Sequence, residues 1–327
     1  MSKKAFVTGA TGFIGINLIR LLLDRGWDVT ALHRSSSDLS RLKPLSVRLK
    51  EGSITDATTV ERALPTDTDA VFHLAGSTNL WSKRNAQQTA VNVGGSRNMI
   101  EAAVRKEVPV VVHTSSVAAW GDASGLITEE TPQQGGDSWV NYERTKWAGE
   151  REVLKGTEHG VKVVILNPAH VTGPYDTNNW GRLFFALRDG DLPGIPAGEA
   201  SITHVEEVAK AHLAAVDKGR SGERYILAGN DYTFYQFVSE VARVSGIDEL
   251  PSRVPDFIFK AVAHLSVLKA AITNKTPDVT PELAHIMTRS NLSYSNEKAI
   301  RELDYRLVPM EQSVRDCYEW LKQEGLL

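Results

Sequence analysis

Seven short runs rich in valine, isoleucine and alanine mark the chain: Lys4 to Thr8, Asp28 to His33, Val47 to Lys50, Asp69 to Leu74, Pro109 to Ser115, Val161 to Asn167 and Tyr225 to Ala228. Runs that are apolar at most positions suit strands covered on both faces, as in a parallel sheet. Between them apolar residues return at helical spacing, as at Ile14, Leu18, Leu21 and Leu22, then at Val140, Trp147, Val153 and Leu154. Each crossover therefore reads as a helix packed on the sheet, and the predicted fold class is α/β, a doubly wound parallel sheet. After Gly173-Pro174 the chain turns rich in Gly and Pro, and after Gly229 it is mainly helical, while His204 to Ala228 reads as one more helix and strand. The predicted division is a sheet domain of residues 1–174 plus about 204–229, and a smaller, mainly helical domain of about 175–203 plus 230–327.

Composition narrows this further. Of 327 residues, 42% are hydrophobic and 24% charged, which is the balance of a folded globular chain. The 37 Lys and Arg against 40 Asp and Glu leave a net charge of −3, and the basic residues are scattered, so no nucleic-acid partner is expected. A single cysteine, Cys317, cannot close an intrachain disulfide, and the short apolar segment after Met1 is broken by Gly9. A cytoplasmic location is expected, with no metal site. The longest apolar stretch, Val254 to Ile272, is interrupted by Asp256, Lys260, His264 and Lys269, so no transmembrane segment is expected. Within it Phe257, Ile258, Ala261, Val262, Leu265 and Leu268 share one helical stripe. Core packing in the small domain is the expected use of that stripe. The alternatives are a roof over an apolar substrate or a peripheral membrane contact, with Lys260, Lys269 and Lys275 near the lipid.

Two groups of residues carry chemistry. Directly after the first run stands Thr8-Gly9-Ala10-Thr11-Gly12-Phe13-Ile14-Gly15, followed by an amphipathic helix. Glycines at this spacing suit a tight turn, a close approach of backbone N–H groups to a pyrophosphate, and close packing of helix on sheet. The second run ends His33-Arg34-Ser35 with no acid to accept from a ribose 2′-hydroxyl. Arg34 and Ser35 instead suit a 2′-phosphate, so NADP is the expected cofactor. The second group is Ser115-Ser116 after the fifth run and, 26 residues beyond Ser116, Tyr142 with Lys146. Tyrosine and lysine four apart share a helix face, and the ammonium is expected to lower the pKa of the phenol. A hydroxyl at a strand end can then hold a carbonyl while the tyrosine exchanges its proton.

Further motifs are His73-Leu74-Ala75-Gly76, Asn92-Val93-Gly94-Gly95, Asn167-Pro168-Ala169-His170-Val171-Thr172-Gly173-Pro174, His204-Val205-Glu206-Glu207-Val208-Ala209 and Tyr294-Ser295-Asn296-Glu297-Lys298-Ala299. With these the chain resembles the extended short-chain dehydrogenase/reductase family, which includes NAD-dependent epimerases and dehydratases, over nearly its whole length. The resemblance implies a Rossmann domain with Gly9, Thr11, Gly12, Phe13, Ile14 and Gly15 at the dinucleotide. It implies that Ser116, rather than Ser115, is the catalytic hydroxyl, that Tyr142 is the acid/base, and that Lys146 also holds the nicotinamide ribose. Leu74, Ala75 and Gly76 should line the cofactor, and Pro168, Ala169, His170 and Val171 its nicotinamide end. Ser53 and Ile54 stand where the family often has an Asp for the adenine. Gly94 and Gly95 imply either close backbone packing or a bend, and Asp56 a helix cap. For the substrate the candidates are Ser77, Thr78, Trp81, Asn167 and Tyr175, with Trp180 beside them, the alternative for the three loop aromatics being packing anchors.

Departures from the family pattern select a branch. Nucleotide-sugar epimerases carry an Arg-Asp pair where this chain has Ala200-Ser201, and an Arg-x-Gly-Asp motif where it has His285-Ile286-Met287-Thr288-Arg289. Dehydratases place two acids after the fifth strand, and Ser116-Val117-Ala118 has neither. The closer likeness is to dihydroflavonol reductases and 3-beta-hydroxysteroid dehydrogenases. The expectation is an NADP-dependent reductase of a ketone or aldehyde on a bulky, largely apolar small molecule. The alternatives are a nucleotide-sugar epimerase, or an NADP-sensing binding protein without turnover. A homodimer through the crossover helices is the family habit.

Overall fold

A computed structural model describes residues 2–273, 277 and 279–327. Its strands are β1 (Lys4–Thr8), β2 (Asp28–His33), β3 (Val47–Glu51), β4 (Ala70–His73), β5 (Val110–Thr114), β6 (Gly125–Ile127), β7 (Lys162–Pro168), β8 (His170–Thr172), β9 (Glu199–His204), β10 (Arg224–Leu227), β11 (Asn230–Thr233) and β12 (Leu292–Tyr294). The helices are α1 (Phe13–Asp24), α2 (Ala57–Ala63), α3 (Asn85–Thr89), α4 (Gly95–Arg105), α5 (Asn141–Leu154), α6 (Arg182–Arg188), α7 (Val205–Asp217), α8 (Phe234–Ser245), α9 (Asp256–Thr273), α10 (Pro281–Met287), α11 (Glu297–Leu303) and α12 (Met310–Gln323).

Seven strands form one parallel sheet in the order β10-β7-β5-β4-β1-β2-β3. Each lies within one residue of a run read from the sequence. The reason is visible in the side-chain alternation. Ala5 and Val7 of β1, Phe72 of β4 and Val164 and Leu166 of β7 pack with α1 and α7 on one face. Phe6, Val71, Val163 and Ile165 pack with Met99, Ile100 and Val153 of α4 and α5 on the other. Both faces are covered, so the strands are apolar throughout. The strand order reverses between β1 and β4, and their carboxyl ends, Thr8 and His73, lie side by side. Ligands of doubly wound sheets bind at this crevice.

The remaining strands form a three-stranded sheet, β11-β9-β8, and the pair β12-β6. A second core joins α6, α8, α12 and β9 through Phe184, Ile202, Phe234, Phe237 and Trp320. Residues 297–305, grouped by sequence with the smaller domain, pack on the sheet instead, with Ala299, Leu303 and Tyr305 in its core.

The apolar stripe of α9 departs from expectation. Only Phe259, Ala263 and their neighbours pack, against Val279 and Ala284 beside α10. Phe257 is 73% exposed, Leu265 64% and Leu268 60%, so the predicted core stripe faces water. The covered face is the opposite one, offset by two residues. Lys275 lies outside the described residues. No described helix is long and apolar enough to cross a membrane.

Candidate active site

The glycine turn follows β1 directly. Gly9 has φ 70°, and a Cβ there would sit 2.6 Å from the carbonyl carbon of Leu74 and 2.7 Å from the nitrogen of Ala75. A Cβ on Gly15 would lie 2.3 Å from the Gly9 oxygen. Only glycine fits at either place. Helix α1 has Gly12 as its N-cap, with no side-chain cap bond and no acid in its first turn. Its leading N–H groups are left for a ligand, and they favour an anion. The residues therefore fit a dinucleotide, with Gly9, Thr11, Gly12, Phe13, Ile14 and Gly15 as its cradle. Thr8 Oγ1 fixes the neighbouring strand end: it bonds His73 Nδ1 at 2.8 Å and accepts the Ala75 N–H at 3.2 Å.

At the end of β5, Ser116 is half-buried and Ser115 fully buried. Ser115 gives its N–H to Leu166 and its hydroxyl has no partner, whereas the Ser116 hydroxyl bonds Tyr142. Helix α5 presents Tyr142 and Lys146 one turn apart. Lys146 Nζ donates to the Thr114 carbonyl at 3.1 Å and lies 6.0 Å from the centre of the Tyr142 ring. The electrostatics correct one expectation. Burial pushes the Tyr142 phenol above its ordinary pKa, with the Ser116 hydrogen bond pulling the other way. The lysine does not lower it here because the ammonium is directed at Thr114, and burial pushes Lys146 itself down to about 8, opposed by the charge of Glu150.

Glu150, one turn beyond Lys146, is fully buried and receives Asn167 Nδ2 at 2.7 Å, Gln133 Nε2 at 2.8 Å and Arg224 Nε at 2.6 Å. The same Asn167 amide donates to the Ser116 carbonyl at 3.0 Å. Asn167, expected at the substrate, is instead a fully buried strut that ties the Ser116 backbone to α5. Sequence reading passed over Glu150, although a carboxylate four residues past Lys146 on a face that must be buried was a readable signal.

A second group missed by sequence holds the loop after β4. Asn92 sits in a π-helical turn, Ala90–Gly94, and its amide pairs with both backbone groups of Ser77 and with Thr145 Oγ1. Gln88 donates to the carbonyls of Ser77 and Asn79. Such single π turns concentrate at functional sites. Gly95 is required by Ile54, whose Cγ1 would be 2.9 Å from a Cβ, while Gly94 is open. A Cβ on Gly149 of α5 would likewise lie 2.7 Å from the Asn92 carbonyl oxygen.

The other candidates divide. Leu74 and Ala75 are half-buried beside the glycine turn, with Gly76 exposed. Arg34 and Ser35 are exposed beyond β2, and the Arg34 guanidinium has no partner among the described residues. Ser53 bonds Thr55, Ile54 is buried, and Asp56 caps α2 through Thr58 and Thr59. Pro168 and Val171 are buried, Ala169 half-buried, and the His170 ring faces Trp180 at 5.2 Å. Ser77, Thr78 and Trp81 lie on the loop held by Gln88 and Asn92. Tyr175 does not join them: it packs on Trp320 at 4.8 Å, with Arg20 and Arg41 over its ring. Trp180 stacks on Phe234 and meets Phe237 edge-on in the second core. Both aromatics are packing anchors. Arg289, the one arginine left near the expected diphosphate motif, is bound to Glu143 at 2.7 Å and to Asp122.

The family model for the NAD-dependent epimerase/dehydratase family matches residues 5–228, and the chain belongs to that family. It is thus an extended short-chain dehydrogenase/reductase, a class of NAD(P)-dependent oxidoreductases and epimerases. Among its relatives, a putative dihydroflavonol 4-reductase of Synechocystis is 28% identical over 99% of this chain and 96% of that protein. Sterol demethylase protein B of Methylococcus capsulatus is 29% identical over 98% of this chain and 99% of its own length. The crystal structure of gox2253 superposes with TM-score 0.84 at 29% identity, covering 100% of both chains.

Proposed function

We propose that the protein is an NADPH-dependent carbonyl reductase that converts a ketone or aldehyde on a bulky, largely apolar body to its alcohol. The observation that carries this reading is the meeting of Ser116, Tyr142 and Lys146 at the end of β5, with neither dehydratase acid beside them. When bound, the nicotinamide supplies hydride to the carbonyl carbon. Ser116 holds the carbonyl oxygen, the Tyr142 phenol gives it a proton, and the Lys146 ammonium holds the nicotinamide ribose. NADPH over NADH is supported by the unpartnered Arg34 and by Ser35 in place of an acid. Reduction over epimerisation is supported by Ala200 and by Arg289, whose charge is already taken by Glu143 and Asp122. The reductase and sterol names of the two relatives agree with an apolar carbonyl compound. We assign the dinucleotide to residues 1–174 and about 204–229.

The test is NADPH oxidation against ketones of increasing apolar size, with UDP binding measured beside it. The expected result is kcat/KM rising with buried apolar surface, by roughly 25 cal/mol per Å², and no UDP binding. Micromolar UDP affinity would overturn it in favour of an epimerase. Absence of turnover across the panel would overturn it in favour of a cofactor sensor.

A further inference from the structure

Helix α9 is apolar almost all the way round. At about 100° per residue, Phe257, Ile258, Ala261, Val262, Leu265, Leu268 and Ile272 occupy one side of it, and Phe259, Ala263 and Ala270 the opposite side. Only the second side is covered: Phe259 is 5% exposed and Ala263 0%, against 73% for Phe257, 64% for Leu265 and 77% for Ile272. A helix apolar on both sides belongs where both sides leave water. A contiguous exposed face of this kind marks an interaction site rather than ordinary surface.

The charges say what covers it. Beyond Asp256 the helix carries no acid, only Lys260 and Lys269 with His264 between them, although the chain as a whole has net charge −3. Lys269 falls beside Val262 near one edge of the apolar side and Lys260 about 60° beyond the Phe257 edge, both exposed and neither paired among the described residues. Apolar residues on one side with lysines near its edges are the arrangement of a helix lying in a lipid interface, stems along the apolar boundary and ammonium groups at the phosphates. The helix is joined to α5 only through intervening groups. It packs on α10, whose His285 bonds Asp122 at 2.9 Å, and Arg289 just beyond joins Glu143, the neighbour of Tyr142.

We propose that α9 docks the protein on an anionic lipid surface, with the apolar side of the helix in the interface and Lys260 and Lys269 at the headgroups. The docking itself does not depend on the carbonyl-reduction reading.

The experiment is co-sedimentation of the full chain with phosphatidylcholine vesicles, with and without phosphatidylglycerol, in the absence of substrate. The wild type is expected to bind the anionic vesicles. Phe257→Glu with Leu265→Glu should lower partitioning at least tenfold, and Lys260→Glu or Lys269→Glu should lower it about fivefold each on the anionic vesicles. Unchanged melting temperature and NADPH binding in these variants show that only docking is affected. Failure of the wild type to sediment with either vesicle overturns the proposal. So does a dimer in analytical ultracentrifugation that Phe257→Glu dissociates, which assigns the face to a second copy. Because no turnover is read, failure here leaves the reductase reading standing, and failure of that reading leaves this result standing.

Discussion

Strand β7 and helix α9 are both written as nearly continuous apolar text, and they end in opposite surroundings. In β7, Val163 and Ile165 go to one helical layer and Val164 and Leu166 to the other, all of them 0% exposed. In α9 the text is just as apolar, yet one whole side stands in water. An apolar run therefore reports that both sides leave water somewhere, and it does not say that the same chain supplies the cover. The sheet holds its cover within the fold. Helix α9 leaves one side without cover.

The largest effect that would break this contrast is expected at the carboxyl end of β1, in the middle of the sheet. Gly15→Val places a Cβ where 2.3 Å separates it from the Gly9 oxygen, so the turn must open. NADPH affinity, followed by fluorescence titration, should fall by roughly 100-fold or more. Retained affinity would show that the turn is not the dinucleotide cradle.

Acid should separate the two regions next. Burial holds His73 down to about 3 and His212 to about 4, and His113 well below its ordinary value, all three neutral within or against the sheet. Their folded pKa values lie below the unfolded value near 6.5, so the unfolded chain binds more protons below that pH. Stability should drop as pH falls from about 6.5 toward 4, by up to roughly 1.4 kcal/mol per pH unit for each histidine. Thermal melts across that window check it. A flat melting temperature would mean that these histidines are not buried neutral.

The two sides of α9 can be compared directly. Phe259→Ala removes a side chain that is 5% exposed and should cost about 3 kcal/mol, whereas Phe257→Ala, at 73% exposed, should change stability by less than about 0.5 kcal/mol. Denaturant unfolding of the two variants decides it, and equal losses would return the stripe to the core. The smallest effect concerns Arg34→Ala, which should weaken NADPH about tenfold and leave NADH unchanged. Equal affinities for both cofactors in the wild type would remove the 2′-phosphate role.

How much of this was legible follows from the same contrast. The seven sheet strands could be read because period and cover agree, and the glycine turn and the Tyr142-Lys146 pair because their spacing is local. Strands β6, β8, β11 and β12 could not, since they are three or four residues long and owe their pairing to distant partners. The roles of Asn167 and Asn92 were hidden for a related reason. An amide in a motif looks alike whether it faces a ligand or braces a backbone, and only the fold shows Asn167 tied to Ser116 and Glu150. Tyr175 was misplaced because a loop aromatic gives no sign of which core it enters. Arg289 stood near a phosphate-binding motif, and its commitment to Glu143 depends on a contact 146 positions away in the chain.

The central claim is proton delivery by Tyr142 to a carbonyl held by Ser116. Its most direct measurement is kcat/KM for the best ketone in the wild type and in Tyr142→Phe, with the NADPH dissociation constant of each measured separately. The account predicts a loss of roughly 100-fold or more in kcat/KM with cofactor affinity preserved, and a wild-type rate that declines as pH rises past about 8, where the Lys146 ammonium is lost. A Tyr142→Phe enzyme that keeps its turnover would contradict it.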